Sequence, residues 1–125
     1  MPTPLITADD TQTFTLPGIQ FTGLAAPSRG ASESAVWIVQ IQPGTPGINH
    51  QLTREEVFIV LEGRALATLH GTAYELNPGN AFIVPPRTDF ALANPFFETF
   101  RAVVVLPVGG QGIVGDDTFV PPWAQ

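Results

Sequence analysis

The sequence predicts an all-β protein, a sandwich or barrel of short antiparallel strands, and three observations predict it. Thirteen prolines and twelve glycines are spread through the 125 residues without a collagen-like period, so they punctuate many short elements. Runs rich in β-branched and aromatic residues are closed by turn chemistry about every eight to ten residues. No helix-period pattern survives beyond about two turns, and no repeat of solenoid length is present.

Met1 to Gln12 is rich in Pro, Thr and Asp and lacks periodicity, which predicts a partly ordered arm over residues 1–12. Phe14–Leu16 and Ile19–Leu24 read as two strands about the Pro17-Gly18 turn, and Ala26–Ser34 as a small-residue loop. Ala35–Gln42 alternates: Trp37, Val39 and Ile41 share a wholly apolar face, while Val36, Ile38, Gln40 and Gln42 share the other. Pro43–Gly63 carries a Pro/Gly turn, His50, Glu55-Glu56 and the apolar run Val57–Leu61. Ala65–Leu69 and Ala73–Leu76 read as hairpin strands about His70-Gly71, and Ala81–Val84 is stopped by Pro85-Pro86. Phe90–Ala93 and Phe97–Leu106 complete the strand set, and Gly109–Gly115 reads as a flexible loop. The tail over 116–125 carries Phe119 and Trp123, apolar surface that needs cover on the barrel or on a partner.

Composition narrows the function classes. The length predicts one domain over 1–125. Five arginines, no lysine and eleven acidic residues leave a net charge of −6, which argues against nucleic-acid and anionic-membrane partners. The absence of cysteine excludes thiolate metal sites, disulfides and a cysteine nucleophile. No apolar run is long enough to span a bilayer and the N-terminus has no leader pattern, so a cytoplasmic protein is the expectation. Neither a phosphate-binding glycine loop nor a nucleophile elbow is present.

Over roughly residues 43–94 the spacing resembles the cupin family of small β-barrels. That family's first motif runs Gly, five residues, His, one residue, His, three or four residues, Glu, six residues, Gly. Gly44, His50, Glu56 and Gly63 match, and Leu52 stands where the second histidine belongs. Its second motif runs Gly, five residues, Pro, one residue, Gly, two residues, His, three residues, Asn. Gly79, Pro85 and Asn94 match, while Arg87 replaces the glycine and Phe90 the histidine. The resemblance implies a single small cupin domain, a double-stranded β-helix or jelly-roll barrel, with an incomplete metal site.

Three histidines and a glutamate hold the ion in metal-binding cupins. This sequence retains His50 and Glu56, so no cofactor is expected; if a divalent transition metal is bound, it is through these two, with Gln51, Gln40 or Tyr74 as replacement ligands. His50 and Glu56 share side-chain parity and are the expected acid/base pair. Their structural alternative is a polar relic that hydrogen-bonds in the barrel mouth. Leu52, Phe58 and Phe90 are expected to line an apolar interior for a small organic molecule, or to fill it as core. Gln40, Tyr74 and Arg101 are expected to reach the ligand as polar contacts, against the alternative of exposed strand positions and a surface ion pair. Arg87 and Asp89 are expected to pair in their turn, and His70 to be an exposed hairpin residue. Val57, Ile59 and Leu61 should face outward and need cover, which predicts a homodimer. The functional expectation is a small-molecule-binding cupin acting as a metal-independent isomerase or cyclase on an apolar or aromatic substrate; the alternatives are a metal-dependent oxygenase with non-standard ligands and a non-catalytic binding or sensing module.

Overall fold

A computed structural model describes residues 4–125; the first three residues of the expected arm lie outside it. Twelve strands, β1 to β12, form the described fold, with three single turns of 3-10 helix and no α-helix. Six of them make one antiparallel sheet in the order β1 (Gln12–Leu16), β2 (Ile19–Ala25), β3 (Ser34–Ile41), β10 (Phe100–Pro107), β5 (Glu56–Glu62), β8 (Ala81–Val84). The opposite wall has two parts: β7 (Thr72–Leu76), β6 (Ala65–Leu69) and β9 (Phe90–Ala93), then β4 (Gln51–Leu52), β11 (Gly112–Val114) and β12 (Asp117–Phe119). Bridges between Thr45 and Asn94 and between His50 and Phe90 join the two parts. Two walls closed this way make the jelly-roll barrel.

Alternation along the strands sets what faces the barrel. In β3 and β10 every second residue is buried, which puts Ala35, Trp37, Val39 and Ile41 opposite Phe100, Ala102, Val104 and Leu106 inside. Phe58 and Val60 of β5 join them. Cross-strand neighbours point to the same side, so the outer face carries two apolar rows: Ile83, Val57, Val105 and Val36, then Ala81, Ile59, Val103 and Ile38. No charged residue interrupts either row.

The motif residues that match the family hold the turns. Gly63 has φ +71°, and a Cβ there would drive into the Thr99 backbone, so both the left-handed conformation and the close approach call for glycine. Asn94 is wholly buried and staples three segments: its Nδ2 donates to the Ile41 carbonyl at 2.9 Å and the Glu98 carbonyl at 2.7 Å, and its Oδ1 accepts from the Phe96 amide at 3.0 Å. The loop so formed delays the last long strand, which begins at Phe100 rather than Phe97; Phe97 is almost wholly exposed.

Two expectations about the C-terminal third change. Residues 109–115 are not simply a flexible loop, because β11 pairs with β12 across a tight turn at Gly115-Asp116 and with β4 on its other edge. Phe119 lies over Gly112, where a Cβ would stand 3.0 Å from its ring, so the missing side chain makes room for the aromatic cover. Beyond it, Trp123 stacks face to face on Phe21 of the same chain, with ring centroids 3.6 Å apart, and meets Trp37 edge-on. The turn pair expected between Arg87 and Asp89 is absent: Asp89 accepts from Gln51 Nε2 at 2.9 Å, and Arg87 has left-handed backbone with its amide bound to the Leu52 carbonyl.

Candidate functional site

The barrel encloses a cavity of about 180 Å³. Its wall draws Phe21, Trp37, Val39 and Ile41 from the long sheet, Phe58 from β5, and Leu52, Phe90 and Leu92 from the opposite wall. The β11–β12 hairpin and the tail add Val114, Phe119 and Trp123. Among the described residues only two ionisable side chains line it, His50 and Glu56.

Position follows from the strands. His50 is fixed by a reciprocal backbone pair with Phe90, each amide donating to the other's carbonyl at 2.9 Å, and its ring lies 5.3 Å from the Phe90 ring. Its Nδ1 donates to the Ile48 carbonyl at 2.7 Å, which in the neutral ring leaves the lone pair on Nε2. Burial pushes the His50 pKa down, partly offset by that hydrogen bond, so the ring is held neutral. Glu56 opens β5 opposite Val84 and is only 5% exposed. Burial with no offsetting charge or hydrogen bond pushes its pKa up to about 8, so the carboxyl keeps its proton at neutral pH.

An apolar chamber therefore holds one neutral proton acceptor and one neutral proton donor. The two are not ion-paired with each other, since the ion pairs among the described residues are Arg29 with Asp10 and Arg64 with Glu75. They share the chamber as separate functional groups.

Of the residues expected from sequence, His50, Leu52, Glu56, Phe58 and Phe90 come together on the cavity wall. Gln40, Tyr74 and Arg101 do not. Gln40 and Arg101 are cross-strand neighbours on the outer face, carried there by the alternation that turns Val39, Ile41, Phe100 and Ala102 inward. Tyr74 lies on β7, 45% exposed, with its ring against Phe82 rather than in the chamber. Phe119 and Trp123, expected to need cover on the barrel or on a partner, lie on the barrel's own cavity wall; what sequence reasoning missed is Val114 and the hairpin that carries it. A Gly-Asp turn between two short β-forming runs was the available signal, too brief to outweigh the surrounding glycines.

The donor set does not suit a tightly held transition metal. Such sites use three or four donors in fixed geometry, and among the described residues no three His, Cys, Asp or Glu side chains converge. The replacement ligands fail as well: Gln51 lies outside the chamber with its amide on Asp89, Gln40 faces out, and Tyr74 is on another surface. Leu52 and Phe90, at the places the family gives to histidine, are buried hydrocarbon.

Comparison with known proteins agrees with this architecture. Residues 37–106 match the family model for the cupin domain. A stretch of 47 residues is 34% identical to the uncharacterized protein MJ1618 of Methanocaldococcus jannaschii, a match that covers 38% of either chain. Among solved structures, the polyketide cyclase RemF from Streptomyces resistomycificus superposes with a TM-score of 0.76 at 20% identity, over 96% of this chain and 82% of that one. An RmlC-like cupin from Shewanella frigidimarina superposes with a TM-score of 0.72 at 19% identity, over 84% and 90%. The 7S globulin of Momordica charantia gives a TM-score of 0.71 at 21% identity; 83% of this chain matches 35% of that longer one. At such identities the likeness speaks for the fold. Among the described residues no helix is long and apolar enough to cross a membrane.

Proposed function

The chain belongs to the cupin family, and from that premise we propose that its barrel binds a small, largely apolar or aromatic organic molecule and moves protons on it without a resident metal, as an isomerase or cyclase does. One observation carries the reading: among the described residues His50 and Glu56 are the only ionisable groups lining an otherwise apolar chamber, and burial pushes the His50 pKa down and the Glu56 pKa up. Burying two such groups is costly, and buried groups with perturbed pKa in a cavity concentrate at working sites. The cyclase name of one structural neighbour is consistent with this chemistry.

The chemistry suited to the pair is enolisation. His50 Nε2 takes a proton from a carbon next to a carbonyl while the Glu56 acid gives its own proton to the carbonyl oxygen, yielding enol, imidazolium and carboxylate. Where the substrate carries a β,γ double bond the enol is a dienol; imidazolium then protonates its γ-carbon, the enol proton goes back to Glu56, and the double bond has moved into conjugation with the carbonyl. Alternatively the enol carbon attacks a second carbonyl in the same molecule; imidazolium then protonates the new alkoxide, Glu56 recovers the enol proton, and a ring is closed. Both routes leave the two residues as they began.

Exchange of the α-protons of 2-tetralone in deuterated water, followed by proton NMR, tests the proposal. Wild-type protein should accelerate exchange, and His50→Ala should slow it on the order of 100-fold or more while still binding the ketone. Activity should be highest above the lowered His50 pKa and fall as Glu56 ionises near pH 8. Binding without any exchange in the wild type would favour a non-catalytic binding module instead.

A further inference from the structure

The mouth of the chamber is built differently from its interior. Four cavity-lining residues are also substantially open to solvent: Leu16 (46%), Ile48 (59%), Val114 (38%) and Phe119 (40%). They come from four separate places, the end of β1, the loop before β4, and both strands of the β11–β12 hairpin. Exposed apolar side chains scattered singly are ordinary, but here they converge on one opening. Among the described residues His50 and Glu56 are the only ionisable ones that share the cavity lining with them.

The polarity of the site thus runs opposite to that of many ligand pockets: its hydrogen-bonding groups are inside and its entrance is hydrocarbon. Glu56 is nearly inaccessible, His50 is anchored by Ile48, and the outermost surface is aliphatic and aromatic. A cavity of this size is on the order of that known to hold one benzene ring, so a larger ligand must extend into the mouth. There it would meet an apolar collar. Among the described residues no Arg or Lys lines the cavity, so a carboxylate or phosphate head would find no fixed positive charge there.

We propose that the ligand enters head first, with an uncharged carbonyl or enol head at His50 and Glu56 and an apolar chain that leaves the chamber between Leu16, Ile48, Val114 and Phe119. This assignment of ligand class rests on the reading of His50 and Glu56 as the polar end of the site. It adds a length preference set by the collar, which the paired groups alone do not require.

A homologous series of n-alkyl phenyl ketones, from acetophenone to octanophenone, measured by calorimetry at pH 7 with decanoate as the charged probe, tests it. The dissociation constant should fall about twofold for each added methylene, roughly half the free-energy gain of complete burial, because the collar covers the chain on only part of its circumference. Leu16→Ser with Val114→Ser should flatten that dependence, with circular dichroism and melting temperature as controls for folding. Decanoate should bind at least tenfold more weakly than the ketone of matching length. Octanophenone binding no tighter than acetophenone, an unchanged slope in the folded double variant, or decanoate binding as well as the ketone would each overturn the assignment while leaving the chamber chemistry standing. Failure of every ketone to bind would overturn both.

Discussion

Replacing Glu56 by glutamine removes one ionisable proton from the chamber and little else, so the difference between the two proteins isolates that carboxyl. Its pKa stands at about 8 in the folded chain against 4.5 for the ordinary group, with burial as the cause. Between those values the native state keeps a proton that the unfolded chain has released, so wild-type stability falls as pH rises. Below the lower value both states are protonated and the cost vanishes; above the upper one both are ionised and the cost is complete. The slope is roughly 1.4 kcal/mol per pH unit, on the order of 5 kcal/mol across the window. His50 acts in the opposite sense: its lowered pKa costs stability as pH drops below 6.5. That contribution is present in both proteins and largely cancels in the comparison. Urea unfolding from pH 5 to 9 should show Glu56→Gln gaining on the wild type steadily through the window and levelling off above it. Carbon NMR of carboxyl-labelled glutamate should show one of the six glutamates titrating near pH 8. Parallel stability curves, with all six carboxyls titrating near their ordinary values, would refute the argument that this chamber holds a neutral acid.

The remaining predictions follow from the same surfaces. Leu52→His combined with Phe90→His places two further imidazoles on the wall that already carries His50 and Glu56; this variant should retain one zinc or nickel ion per chain through dialysis, by elemental analysis, and bind it at least about 100-fold tighter than the wild type. The uninterrupted outer rows containing Ile59 and Ile83 should be covered by a second copy of the chain. Light scattering is then expected to give twice the 13.3 kDa chain mass, and Ile59→Glu with Ile83→Lys should give a folded monomer, because the substituted positions are exposed in the single chain.

Much of the fold was legible because its determinants are local. Trp37, Val39 and Ile41 alternate with outward residues, and that period set the inner face of β3 before any contact was known. The turns at Pro17-Gly18, His70-Gly71 and Asn77-Pro78-Gly79 bounded strands to within a residue or two, since positive φ and the missing proline amide are written in residue type. The misses are non-local. Gly109–Gly115 resembles a loop when read alone; it becomes an edge of the barrel only through β4, some sixty positions earlier in the chain. Arg101 and Tyr74 looked like ligand contacts by residue type, yet facing is decided by register with β3 and by the placement of β7. Trp123 needed a surface; only the fold reveals that the surface is Phe21.

Leu52 and Phe90 do more than withhold two ligands. A carboxyl surrounded by imidazoles and a bound cation would be ionised, because positive charge nearby favours the charged form. Hydrocarbon at those positions brings neither charge nor hydration, which is the condition under which burial raises a carboxyl pKa. On the function we propose, hydrocarbon at the two histidine positions of the family motif makes Glu56 an acid rather than a ligand, with His50, tied through Nδ1 to Ile48, as its complementary base. The two-histidine variant should reverse both properties together, gaining the ion and bringing the Glu56 titration back toward the carboxylate range. Metal retention with Glu56 still titrating near pH 8 would separate them, and would mean that burial by the rest of the barrel, rather than by Leu52 and Phe90, sets its charge.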